Sequence, residues 1–90
     1  MNSVIAYTFS SPTCGPCKTI KPSIDELRVD FDSVQWESVN THEDPHGYAC
    51  AFGITHVPAM VVTSNGVVVG KVVGTAMAEY YRILRQATRS

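Results

Sequence analysis

The stretch Ser10–Pro22, SSPTCGPCKTIKP, places two cysteines, Cys14 and Cys17, at a change of local pattern. Upstream, Val4–Phe9 (VIAYTF) is short, β-branched and aromatic, and is closed by Ser10, Ser11 and Pro12. That is a strand followed by turn chemistry. Downstream, Ile20, Ile24, Leu27 and Phe31 recur at steps of four, three and four, which traces one face of a helix. Lys18, Lys21, Asp25, Glu26 and Arg28 fall largely on the other side. Pro22 removes one backbone donor inside that pattern, and the spacing continues past it, so a kink is expected rather than a stop. Cys14 therefore stands where a strand gives way to a helix.

That position carries chemistry. A helix N-terminus has unpaired N–H groups and a partial positive charge, and both favour a thiolate over a thiol. Cysteines so placed have pKa values lowered to roughly 3.5–7.5. The thiolate is the nucleophile, so Cys14 is suited to attack a disulfide near neutral pH. Cys17 follows one helical turn later on the same face and can reach a mixed disulfide formed on Cys14. Pro16 falls in the first turn, where its missing N–H costs little, and with Gly15 it forms a stiff active-site loop.

The remaining elements follow from the same rules. Val34–Val39 (VQWESV) reads as a second strand, and a strand, a helix and a strand in this order imply a parallel pair joined by a crossover. In THEDPHGYACAFG, Asp44 suits an N-cap, Pro45 the first helical position and Gly53 the C-terminal stop, giving a short helix. Cys50 lies on it among Tyr48, Ala49, Ala51 and Phe52 and reads as a small buried residue. Ala59–Thr63 and Val67–Val73 flank Ser64-Asn65-Gly66, a hairpin signal, with Gly70 marking a bulge or a close backbone approach. Met77, Tyr80, Tyr81 and Leu84 give a last helix, and Thr88–Ser90 a frayed tail. The order β-α-β, short helix, β-β-α implies an α/β fold: a four-stranded mixed sheet with helices on both faces, spanning residues 1–90 as one domain.

Composition narrows the function classes. The 90 residues carry a formal net charge of −1, and the seven Lys and Arg are scattered. No basic run points to nucleic acid or an anionic membrane. The start, MNSVIAYTFSS, lacks a signal-peptide pattern, and no apolar stretch has transmembrane length, so a reducing cytoplasm is the expected location. Three cysteines do not make a disulfide framework. Zinc is the serious competitor, because His42, His46 and Cys50 follow the pair with ligand-like spacing. The gap between the two halves is about twice that of a common finger, and Pro45 interrupts the second half, so no metal is expected. His42 and His46 read as solvated, and the Trp36 ring as core.

CGPCK with the following Pro22 resembles the active-site helix of the thioredoxin family. GITHVPAMVV resembles its segment carrying a cis-proline opposite the cysteines, and NGVVVGKVVG its hairpin ending in a glycine beside the site. The resemblance runs from about Val4 to Leu84. It implies a thioredoxin-like fold in which Cys14 attacks and Cys17 resolves. It also implies a substrate groove formed by Val57, Pro58 and Gly74, with Pro58 cis and Val57 offering backbone hydrogen bonds. Four departures stand out. Thr13 and Ser10 replace tryptophans. Thr8 falls where the family has a buried acid, and Ser38 near that acid's lysine partner. Thr8 cannot act as a general base, so exchange should be slower or differently dependent on pH. His56, two before Pro58, has two readings: an exposed loop histidine, which is favoured, or a group that stabilises the Cys14 thiolate. Thr8 and His56 are the candidate modulators. The chain also lacks the strand and helix with which the family usually begins, and in outline it is closer to glutaredoxin.

The expected function is that of a protein disulfide oxidoreductase, reducing substrate disulfides without a cofactor beyond the Cys14–Cys17 pair. The resemblance implies disulfide-containing protein substrates, a monomer, and thioredoxin reductase as electron donor. A glutaredoxin-like redoxin using glutathione, or one serving ribonucleotide reductase, is the alternative within enzymes. VVGTAMAEYY, lacking the glutaredoxin Gly-Gly and acidic pair, favours thioredoxin-type partners. The alternative from another class is a binding module whose cysteines are incidental.

Overall fold

The computed structural model describes residues 3–89 of the chain. Strand β1 (Val4–Ser10) leads into helix α1 (Gly15–Asp30), strand β2 (Gln35–Asn40) and a short helix α2 (Tyr48–Ala51). Strands β3 (Ala59–Ser64) and β4 (Val67–Val73) and helix α3 (Met77–Thr88) complete the order. The four strands form one sheet in the order β2-β1-β3-β4. β1 and β2 run parallel, as their helical crossover requires, and the other two pairs are antiparallel.

Alternation along the strands sorts the core onto two faces. Val4 and Ala6 of β1 and Met60 and Val62 of β3 pack with Ile20, Ile24 and Leu27 of α1 and Tyr80, Ile83, Leu84 and Ala87 of α3. Phe9, Val39, Ala59 and Val61 point the other way, where Tyr48 and Phe52 at α2 cover them together with Tyr7. Helices thus lie on both faces, two on one and the short α2 on the other. Trp36 is partly buried against the first face, its indole N–H donating to the Phe31 carbonyl.

Three expectations need correction. α2 does not begin at Asp44 and Pro45. Its N-cap is Gly47 in a left-handed conformation, and Asp44 serves from further out, its carboxylate accepting from the Tyr48 and Ala49 N–H groups. Cys50 is exposed, not buried, because a four-residue helix presents only one narrow side to the sheet. Tyr81 is 44% exposed, and Ile83 and Ala87 take the buried stripe of α3 with Tyr80 and Leu84. The hairpin is as the sequence indicates: Asn65 and Gly66 both have positive φ, the pattern of a two-residue primed turn. Thr88 still belongs to α3, and Ser90 lies outside the described residues.

Candidate active site

Cys14 is the N-cap of α1, with φ −89° and ψ 107°. Its Sγ accepts a hydrogen bond of 3.1 Å from the Cys17 N–H, the donor that a Ser or Asp oxygen would take at an ordinary helix start. Pro16 follows in the first turn and forfeits no bond there. α1 then runs unbroken through Pro22 to Asp30. Cys14 and Cys17 are joined as a disulfide with Cα atoms 5.3 Å apart. Both are nearly buried, at 9% and 8% exposure. Thr13 and Gly15 beside them are exposed.

Pro58, in the loop before β3, lines the same cavity as Cys17. The Val57–Pro58 peptide bond is cis, and Pro58 is buried. The Pro58 carbonyl accepts from the Gly74 N–H at 2.8 Å, which joins the loop before β3 to the end of β4. Gly74 has φ +110°, where a side chain would be strained. Val57 makes no backbone hydrogen bond to another described residue. His56 is exposed, its ring Nδ1 3.0 Å from the Thr55 hydroxyl, and no hydrogen bond ties it to either cysteine.

Behind the cysteines a cavity of about 360 Å³ opens between α1 and the sheet, reached by Cys17, Pro58, Thr8 and Ser38. Thr8 and Ser38 are direct partners across the parallel β1–β2 ladder, so the two substituted positions are neighbours. The Thr8 hydroxyl donates to the Glu37 carbonyl at 3.4 Å. Arg28 reaches over from α1, donates to the Ser38 hydroxyl, and places its guanidinium 5.7 Å from the Trp36 ring centre. Its Nε is buried without a partner. The Arg28 guanidinium, delivered by the helix, therefore stands beside Ser38.

Sequence reasoning missed two residues here. Arg28 reads as a solvated helix charge, because its reach across to β2 is tertiary. Tyr80 reads only as core. Its ring is 1% exposed and lines the cavity, and its hydroxyl donates to the Gly74 carbonyl at 2.6 Å. Burial pushes the phenol pKa up to about 12, so it stays a neutral donor. A buried aromatic with a polar tip needs a partner, and that rule is the signal that would have found it. The zinc alternative is not supported: among the described residues no group of three or more His, Cys, Asp and Glu is placed to hold a metal.

The sequence model of the thioredoxin family matches residues 2–86. The chain belongs to the thioredoxin family. It is 37% identical over 71 residues to thioredoxin 1 of Synechococcus elongatus, covering 78% of this chain and 65% of that protein. It is 39% identical over 71 residues to a thioredoxin of Griffithsia pacifica, covering 78% of this chain and 64% of that one. Among solved structures, the thioredoxin NaTrxh of Nicotiana alata superposes with a TM-score of 0.90 at 25% identity, covering 99% of this chain and 76% of that one. The chain spans between 60% and 65% of the length of the first relatives it matches. The thioredoxin fold is therefore present, with its cysteine pair at the helix start and its cis-proline before β3.

Proposed function

We propose that the protein is a thiol–disulfide oxidoreductase that reduces disulfides in protein substrates. The observation that carries this reading is the Cys17 N–H held on the Cys14 Sγ at the start of α1. Once the disulfide is open, that donor and the aligned amides of the helix stabilise negative charge on the Cys14 sulfur. The reading is further supported by membership of a family whose relatives are named thioredoxins.

The Cys14 thiolate attacks one sulfur of a substrate disulfide. A mixed disulfide forms, and the other substrate sulfur leaves as a thiolate that takes a proton. Cys17 then loses its proton and attacks the Cys14 sulfur, expelling the second substrate thiolate. Two electrons have passed to the substrate, which holds two thiols, and the protein holds the Cys14–Cys17 disulfide. The backbone groups of Val57 and the cis Pro58 loop would hold the substrate as an added strand. Proton removal from Cys17 proceeds without a carboxylate at Thr8, through a cavity lined by hydroxyls, by Lys18, Lys21 and Arg28, and by the Asp25 carboxylate on α1. The electron donor would be thioredoxin reductase, and a reducing compartment suits this direction of flow.

Insulin reduction tests the reading. The wild type should precipitate insulin chains with thioredoxin reductase and NADPH as donor. Cys14→Ser should lose activity entirely, and Cys17→Ser should accumulate a mixed disulfide on Cys14. Turnover driven by glutathione and not by the reductase would move the protein to the glutaredoxin-like alternative. An undiminished Cys14→Ser variant would favour the binding-module alternative.

A further inference from the structure

The segment Gly74–Ala76, which the family resemblance makes one wall of the substrate groove, follows directly on the last β4 pair, Val73 with Ala59, and has few bonds of its own. Val73 is 54% exposed, and Thr75 and Ala76 are also exposed. Gly74 has no side chain, and a Cβ built on it would meet nothing within 4 Å. The N-cap of α3, Ala76, makes no side-chain capping bond that could pin the turn into the helix. Two hydrogen bonds remain at Gly74 itself. Its N–H donates to Pro58 at 2.8 Å, and its carbonyl accepts from the Tyr80 hydroxyl at 2.6 Å. Tyr80 is a rigid anchor for the second. Its ring is buried in the core of the α1/α3 face, one turn from the helix start. Packing alone asks only for an apolar ring at that position. A buried hydroxyl is costly unless bonded, so its presence is accounted for by the bond it makes.

We propose that Tyr80 is a positioning residue for the substrate groove, fixing the Gly74 wall against Pro58 through its hydroxyl. This rests on the oxidoreductase reading above. The consequence is a division between substrates. A polypeptide that lies along the groove needs both walls in register. A small aryl disulfide needs only access to the Cys14 sulfur.

The test compares the wild type and Tyr80→Phe on insulin and on 5,5′-dithiobis(2-nitrobenzoate). The KM for insulin should rise about three- to tenfold, the worth of one lost hydrogen bond, a larger effect than any on kcat or on the small-disulfide rate. Amide hydrogen exchange of Gly74 should speed up in the variant while that of Val72 does not. Equal losses on both substrates, or no change on either, overturn the proposal. A wild type that reduces neither substrate overturns the oxidoreductase reading itself, which separates the two failures. If Tyr80→Phe does not fold, 4-aminophenylalanine (donor kept) and 4-fluorophenylalanine (donor lost) at position 80 carry the comparison. The insulin KM should then differ between these two, and equal values overturn the proposal.

Discussion

At the scale of single residues, the site combines a cysteine pair at a helix start with surroundings that depart from the family pattern. Cys14 acts as its own helix cap, so the group that caps α1 is the group that reacts. Thr8 and Ser38 face each other behind it without a charge, and Arg28 supplies the cation from α1. Removing a buried acid–base pair avoids a desolvation cost but also removes a proton acceptor. Thr8→Asp should change the shape of the pH–rate profile of insulin reduction, because a carboxylate there is a titrating group beside Cys17, pushed up by burial and pulled down by the Arg28 guanidinium. A profile identical to wild type contradicts the role assigned to this position. Tyr80 gives a second dependence on pH. Its phenol ionises at about 12 in the fold, against about 10 in an unfolded chain. A raised folded pKa stabilises fully below the unfolded value, and that contribution is lost as pH climbs from about 10 to about 12. The stability advantage of wild type over Tyr80→Phe, measured by urea unfolding, should shrink by about 2–3 kcal/mol across that window. A constant difference would contradict the buried, bonded phenol.

At the scale of elements, the long periodic segments were legible and the short ones only in part. The steps from Ile20 to Phe31 exposed α1 because a sixteen-residue helix repeats its buried face several times. α2 has four residues and no such repeat, so the pattern locates neither its start at Gly47 nor the exposed side on which Cys50 lies. Asp44 was correctly singled out as a capping group but acts from before the αL turn at Gly47. Gly70 answers to both of its readings. The β3–β4 register shifts beside it, between Val62 and Thr63, and a Cβ on it would lie 2.9 Å from Ile83 Cγ2. Gly70→Ala should therefore cost about 1–3 kcal/mol by forcing β4 and α3 apart. In an Ile83→Ala background the same change should cost much less, since the opposing side chain is gone. Thermal or urea denaturation of the four proteins in this cycle measures the coupling, and additive losses would refute the contact.

At the scale of the whole molecule, the mixed sheet followed from element order alone, since a crossover helix dictates the parallel pair and the Asn-Gly turn an antiparallel one. The site was harder to read. The isomer of Pro58 is not encoded locally, as only about 5–6% of such bonds are cis, and it was legible only through family resemblance. The contacts of Arg28 with Ser38 and of Tyr80 with Gly74 join segments that touch only once the sheet has formed. What the fold accomplishes is to place one sulfur at a helix start, with its partner cysteine and the cis-proline on a common cavity. Cys50, exposed and remote from the α1 start in sequence, is an internal reference thiol for that claim. The decisive measurement is mass-spectrometric mapping of limiting iodoacetamide on the reduced protein at pH 7. The account predicts that Cys14 is alkylated first, ahead of the more exposed Cys50 and ahead of Cys17. Alkylation of Cys50 or Cys17 before Cys14 at pH 7 would contradict it.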